Sequence, residues 1–188
     1  MTPFEYVIVL ISIILGLGIT TILTGIAELI KHTRPVTLFT PYIIWILLIF
    51  VLHVQEWWLS YQLIAIDVWS LQFFLMIILY PINLYILAHL LFPAGLSQEF
   101  NSQVFFLEHF PRLFIGSITL VILSVIQNLT LTDEPLYTQI PHLIILVMLS
   151  ILVIQKVRNP TIHTAVAVAL LVVMIIGFAV DQENLVIK

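Results

Sequence analysis

The strongest constraint on this chain is the spacing of its charged residues, which fall almost entirely in the gaps between long apolar runs. Only 9% of the residues are charged, whereas 62% are hydrophobic. Charge is costly in hydrocarbon and tolerated at the water interface, so this pattern is typical of a chain whose solvent is lipid. A soluble globule is excluded, because its surface would lack the polar residues needed to cover it.

Six apolar segments are long enough to cross a bilayer, which takes about 20 residues of helix. We predict a single all-α transmembrane domain over 1–188, with spans at about 4–30, 39–64, 69–92, 112–131, 141–157 and 161–180. Helices are expected because each one satisfies its own backbone hydrogen bonds in lipid.

The connection between the third and fourth spans is too polar to cross the membrane. Phe100, Val104, Leu107 and Phe110 recur at helical spacing with polar residues between them. This pattern predicts a short amphipathic helix on the membrane surface, and the alternative is a loop packed under the bundle.

The basic residues predict the orientation. If the first loop is cytoplasmic, then Lys31, Arg34, Arg112, Lys156 and Arg158 are all cytoplasmic, and only Lys188 lies outside. That distribution follows the positive-inside rule and places both termini outside the cytoplasm.

Glu56 is the candidate functional residue, because it is the carboxylate well inside a predicted span. Intramembrane carboxylates are costly and often functional. His53 precedes Glu56 by three residues and shares its helical face, so the pair is a candidate for proton transfer or for mutual neutralisation. The alternative is a structural role near the outer interface, since Trp57 and Trp58 follow.

Further polar residues are predicted to line an ion or ligand pathway with these two. They are Gln55, Gln72, Asn83, Gln127 and Asn128. The alternative for such residues is hydrogen bonding between neighbouring helices. Gly16, Gly18, Thr21 and Gly25 form a stripe of small residues, for which we expect close helix packing.

Metal and cofactor chemistry has little support in the sequence. There are no cysteines, and no spacing of ligands indicates a metal site. His89 and His163 fall at similar predicted depth on different helices, but two histidines without a supporting motif do not lead us to expect haem. Nucleic-acid binding is not expected either, because the net charge is -4 and no basic run exists.

Three short segments carry a resemblance to known proteins. EYV at 5–7, SIILGLGIT at 12–20 and QEWW at 55–58 resemble small bacterial multi-span integral membrane proteins of uncharacterised function. The resemblance implies a location in the bacterial inner membrane and implies no activity or site residue.

Two functions therefore stand as hypotheses. The first is a channel- or transporter-like protein that moves protons or small ions, or binds a small ligand. The second is a structural or assembly subunit of a homo- or hetero-oligomeric membrane complex. An enzyme ranks last, because no paired carboxylates or serine-centred motif are present.

Overall fold

A computed structural model describes residues 2–32, 36–93, 95, 100–131 and 135–180. Six helices in these residues are long and apolar enough to cross a membrane, which confirms the all-α bundle. Their bounds are α1 Pro3–Lys31, α2 Thr40–Leu59, α3 Leu71–Leu90, α4 Ser102–Leu131, α5 Ile140–Ile154 and α6 Pro160–Val180. The chain is accordingly compatible with an integral membrane protein. Arg34 and Lys188, two of the basic residues used to predict the orientation, lie outside the described residues.

Local sequence signals account for several helix starts. Thr2 caps α1 with a reciprocal pair of hydrogen bonds: its Oγ1 accepts from the Glu5 amide, and the Glu5 carboxylate accepts from the Thr2 amide. Proline occupies the first turn of α1, α2 and α5, where its missing N–H costs no helical hydrogen bond. Two 3₁₀ turns, Ser60–Ala65 after α2 and Leu136–Gln139 before α5, lengthen those helices.

Helices α1 to α4 form the packed centre of the molecule. Helix α3 packs against α1, α2 and α4, while α5 packs mainly against α4 and α6 mainly against α2. The largest fully buried side chains in this centre include Ile11, Leu15, Tyr42, Ile49, Leu84, Phe110 and Phe114. Many leucine, isoleucine and valine side chains on the outer surface are exposed, as expected for helices that face lipid.

The segment before the fourth span differs from the expected surface helix. Residues 102–111 are the first part of α4, which continues through Pro111 to Leu131. Pro111 lacks an N–H, so it removes the helical donor to the Leu107 carbonyl without ending the helix. The buried face also differs from the predicted one, because Phe106 is 2% exposed and Val104 is 51% exposed.

Ser102 joins the start of α4 to the start of α2 through two hydrogen bonds. Its Oγ donates to the Thr37 carbonyl at 2.8 Å and accepts from the Phe39 amide at 2.7 Å. Next to it, two-residue strands β1 (Val36–Thr37) and β2 (Phe100–Asn101) pair in parallel. Strand β1, which precedes α2, and strand β2, which precedes α4, therefore lie together at the same end of the bundle.

Candidate functional site

Glu56 lies one turn before the end of α2. It follows Thr40 by sixteen residues, which places it about 24 Å along the helix from its start. The side chain is half-buried. Among the residues that the structure describes, Glu56 forms no hydrogen bond or ion pair, and Tyr80 on α3 lies within range of its charge. A carboxylate in these surroundings retains its capacity to bind a proton or a cation.

His53 is fully buried and faces α1. Its Nδ1–H donates to the Ile49 carbonyl at 2.7 Å, and its ring lies against Gly18. The Nε2 atom has no hydrogen-bond partner in the described residues. No hydrogen bond or ion pair joins His53 to Glu56 in that part of the chain, so the structure does not connect the two as a proton relay.

Gln127 compensates for a proline in the neighbouring helix. Pro81 lies inside α3 and has no N–H to donate to the Ile77 carbonyl, four residues earlier. Gln127 on α4 donates its Nε2–H to that carbonyl at 3.3 Å. The side chain thus completes the backbone hydrogen bonding of α3, a requirement that is strict where no water is available.

Asn83 and Asn128 also hydrogen-bond between structural elements. Asn83, which is 8% exposed, donates to the Gly116 carbonyl on α4 at 3.0 Å. Asn128 donates to Gln139 Oε1 at 3.3 Å, which joins the end of α4 to the turn before α5. Such bonds hold transmembrane helices together, and they engage the amides that were predicted to line a pathway.

Ser124 and His142 add a further contact between α4 and α5. Ser124 Oγ lies 3.2 Å from His142 Nε2. The two remaining pathway candidates lie apart from this network, because Gln72 is exposed at the start of α3 and Gln55 is half-buried beside Glu56.

The four small residues of α1 lie in different surroundings. Gly18 and Gly25 are buried: a Cβ at Gly18 would meet the His53 ring, and a Cβ at Gly25 would lie 2.5 Å from Phe92 Cγ. Gly16 is exposed, and a Cβ there would meet nothing within 4 Å. Thr21 is half-buried and donates its hydroxyl to the Leu17 carbonyl. Close packing within the chain therefore involves two of the three glycines.

His163 is enclosed by aromatic rings. It is fully buried, and the rings of Phe106, Phe110 and Phe114 lie at centroid distances of 5.4, 4.6 and 5.7 Å. Its Nε2–H donates to the Val157 carbonyl at 2.7 Å. His89, in contrast, lies on the exposed surface of α3. Neither the enclosure of His163 nor its engaged Nε2 fits axial ligation of a haem.

Tyr80 was not among the candidate residues predicted from the sequence, although its position in the sequence is unusual. Tyrosine is enriched at membrane interfaces, whereas Tyr80 is in the middle of a predicted span and precedes Pro81. Metal ligation has no support in the described residues, where no group of three or more histidine, aspartate or glutamate side chains could hold an ion. The candidate site is accordingly Glu56 with Tyr80 nearby.

Comparisons with known proteins give no match for this chain among family models, curated proteins or solved structures.

Proposed function

We propose that this protein binds a proton or a small cation at Glu56 in the outer part of a membrane-spanning bundle, as a step in channel- or transporter-like movement of that ion. The observation that carries the proposal is the absence of any hydrogen-bond or ion-pair partner for Glu56 among the described residues, although the side chain is half-buried. A carboxyl group in such a place either takes up a proton and becomes neutral or stays ionised beside a cation or water.

The surroundings of Glu56 support binding of a small ion rather than of a large ligand. Tyr80 lies within electrostatic range of the carboxylate, although no hydrogen bond joins the two, and its hydroxyl is a group able to donate to Glu56 or to share an ion with it. The amides of Asn83, Gln127 and Asn128 are engaged in hydrogen bonds between elements. The proposed site is therefore smaller than the pathway expected from the sequence, and it is centred on one carboxylate.

The test is ion flux in liposomes that contain the purified full-length chain. Glu56→Gln removes the titratable charge and keeps the shape, so we expect proton or monovalent cation flux to fall at least tenfold. Glu108→Gln is the matched control, because it removes a carboxylate that lies on the exposed surface of α4. Equal flux in the wild type and in the Glu56 variant would remove Glu56 from the mechanism.

The second candidate is an assembly subunit, in which Glu56 pairs with a basic group of another membrane protein or of a second copy. The observation that favours this candidate is again the half-buried Glu56 carboxylate without a hydrogen-bond or ion-pair partner among the described residues, because a basic group of another chain would supply that partner. It predicts no flux in the wild type under any imposed gradient, and loss of complex size after Glu56→Gln in mild detergent. Flux in the wild type with unchanged particle size in the variant would exclude it.

A further inference from the structure

A small cavity lies between α2, the end of α3 and the first part of α4. Its volume is about 10 Å³, and the residues around it include Tyr42, Leu91, Phe105 and His109. A space of this size accommodates one water molecule, provided that polar groups are available to bind it.

Tyr42, one of the residues that line this cavity, carries a buried hydroxyl. The residue is 1% exposed, and its hydroxyl has no hydrogen-bond partner in the described residues. Its ring neighbours explain why: Phe92, Phe100 and Phe105 surround it at centroid distances of 6.5, 6.2 and 6.0 Å, and none of them carries a polar group. Buried hydroxyls without partners are rare, and bound water often satisfies them.

His109 lines the same cavity from α4. Its Nδ1 lies 2.9 Å from the Phe105 carbonyl, and a carbonyl only accepts, so Nδ1 carries the hydrogen. In the neutral ring Nε2 is then an acceptor. The ring is held in this orientation by stacking on Phe105, with centroids 4.6 Å apart.

We propose that one ordered water molecule occupies this cavity. It donates a hydrogen bond to His109 Nε2 and forms a second hydrogen bond with the Tyr42 hydroxyl. The water joins α2 to α4 at the end of the bundle where Ser102 also joins them. This inference is independent of the function proposed for Glu56.

The first test is a double-mutant cycle on thermal unfolding of the full chain in detergent. Tyr42→Phe removes only the hydroxyl, and it should lower the unfolding midpoint by about 2–4 °C, the shift expected for one net hydrogen bond in a chain of this size. In a His109→Phe background, which keeps the stacked ring, the same change should have little further effect. An unpartnered hydroxyl predicts the opposite, since its removal would leave the midpoint unchanged or raise it.

His89 provides the matched control, because its Nδ1 also donates to the carbonyl four residues earlier, that of Tyr85, but it lies on the exposed surface of α3. Tyr42→Phe should shift the midpoint equally in the wild type and in a His89→Phe background. An equal shift in the His109→Phe background as well would overturn the proposal.

The second test is a density map at a resolution that shows ordered water. We expect a single peak within hydrogen-bond distance of both Tyr42 Oη and His109 Nε2, and its loss in the Tyr42→Phe protein. A wild-type map with no peak between these two atoms would also overturn the proposal.

Discussion

The ring of His53 on α2 lies directly against the backbone of Gly18 on α1. A methyl group added at Gly18 would come within 2.7 Å of His53 Cδ2, a distance that real Cβ contacts essentially never show. Both residues are buried, and the His53 ring is held by its hydrogen bond to the Ile49 carbonyl. The smallest residue of α1 at this level therefore sets how closely the two helices approach.

Gly18→Ala should destabilise the protein, because the added methyl group overlaps the His53 ring. Overpacking of this kind costs about 1–3 kcal/mol in folded cores. Gly16→Ala is the matched control on the same helix, since a Cβ there meets nothing within 4 Å. The midpoint of thermal unfolding in detergent should fall for the first variant and stay constant or rise for the second. Similar midpoints for both variants would contradict the contact.

Removing the His53 ring should rescue Gly18→Ala. The double variant Gly18→Ala with His53→Ala should lose less stability than the sum of the two single variants, because the methyl group then occupies the space that the ring leaves. The comparison uses thermal unfolding of all four proteins under one condition. Strict additivity would show that the cost of Gly18→Ala arises elsewhere.

Gln127 should contribute to the stability of the protein only while Pro81 is present. Gln127→Leu removes the donor to the Ile77 carbonyl and should cost about 0.6 kcal/mol and at most about 1.7 kcal/mol, the mean and the maximum for hydrogen bonds between membrane helices. The substitution Pro81→Ala restores a backbone N–H that donates to the same carbonyl, so Gln127→Leu should cost much less in that background. Reversible unfolding of the four proteins measures this coupling. An unchanged cost in the Pro81→Ala background would rule out compensation by Gln127.

Ser102→Ala should weaken the junction between α2 and α4. Ser102 is fully buried, and its hydroxyl accepts a hydrogen bond from the Phe39 amide and donates one to the Thr37 carbonyl. Loss of the hydroxyl therefore leaves both backbone groups without this partner. We expect a cost of about 1–3 kcal/mol in the free energy of unfolding. Ser70→Ala is the comparison, because Ser70 is the exposed N-cap of α3 and accepts from one backbone amide, so its loss should cost about 0.5–2 kcal/mol and less than the loss of Ser102. Equal losses of unfolding free energy in the two variants would contradict the expectation that burial makes the hydrogen bonds of Ser102 more costly to lose.

Both termini should lie outside the cytoplasm. His163, near the start of α6, contacts Phe110, so Lys156 and Arg158 are close to the level of Arg112 on α4. The positive-inside rule places these residues on the cytoplasmic side. A reporter fused after Lys188 should give an extracytoplasmic signal, and one inserted at 155–159 a cytoplasmic signal. The reverse pair of signals would invert the orientation, and two equal signals would contradict the six-span arrangement.

The sequence alone determined the number and approximate position of the helices. Each span is recognised from its own apolar residues and from the charged or proline-containing segments beside it, so no knowledge of neighbours is needed. The same local signals were insufficient before the fourth span. There the polar residues led us to predict that the helix starts at 112. The helix instead begins at Ser102, and Phe106 and Phe110 are buried along its first part.

Only the tertiary structure decided what the polar residues inside the spans do. Gln127 meets the Ile77 carbonyl that Pro81 leaves free, fifty residues away along the chain, and His53 turns towards Gly18 rather than towards Glu56. Helical periodicity tells which residues share a face, but it does not tell which neighbour that face meets. Hydrogen bonds and close contacts depend on that neighbour, so only the structure separated Glu56, which has no such partner among the described residues, from Asn83, Gln127 and Asn128, whose amides bond to other elements.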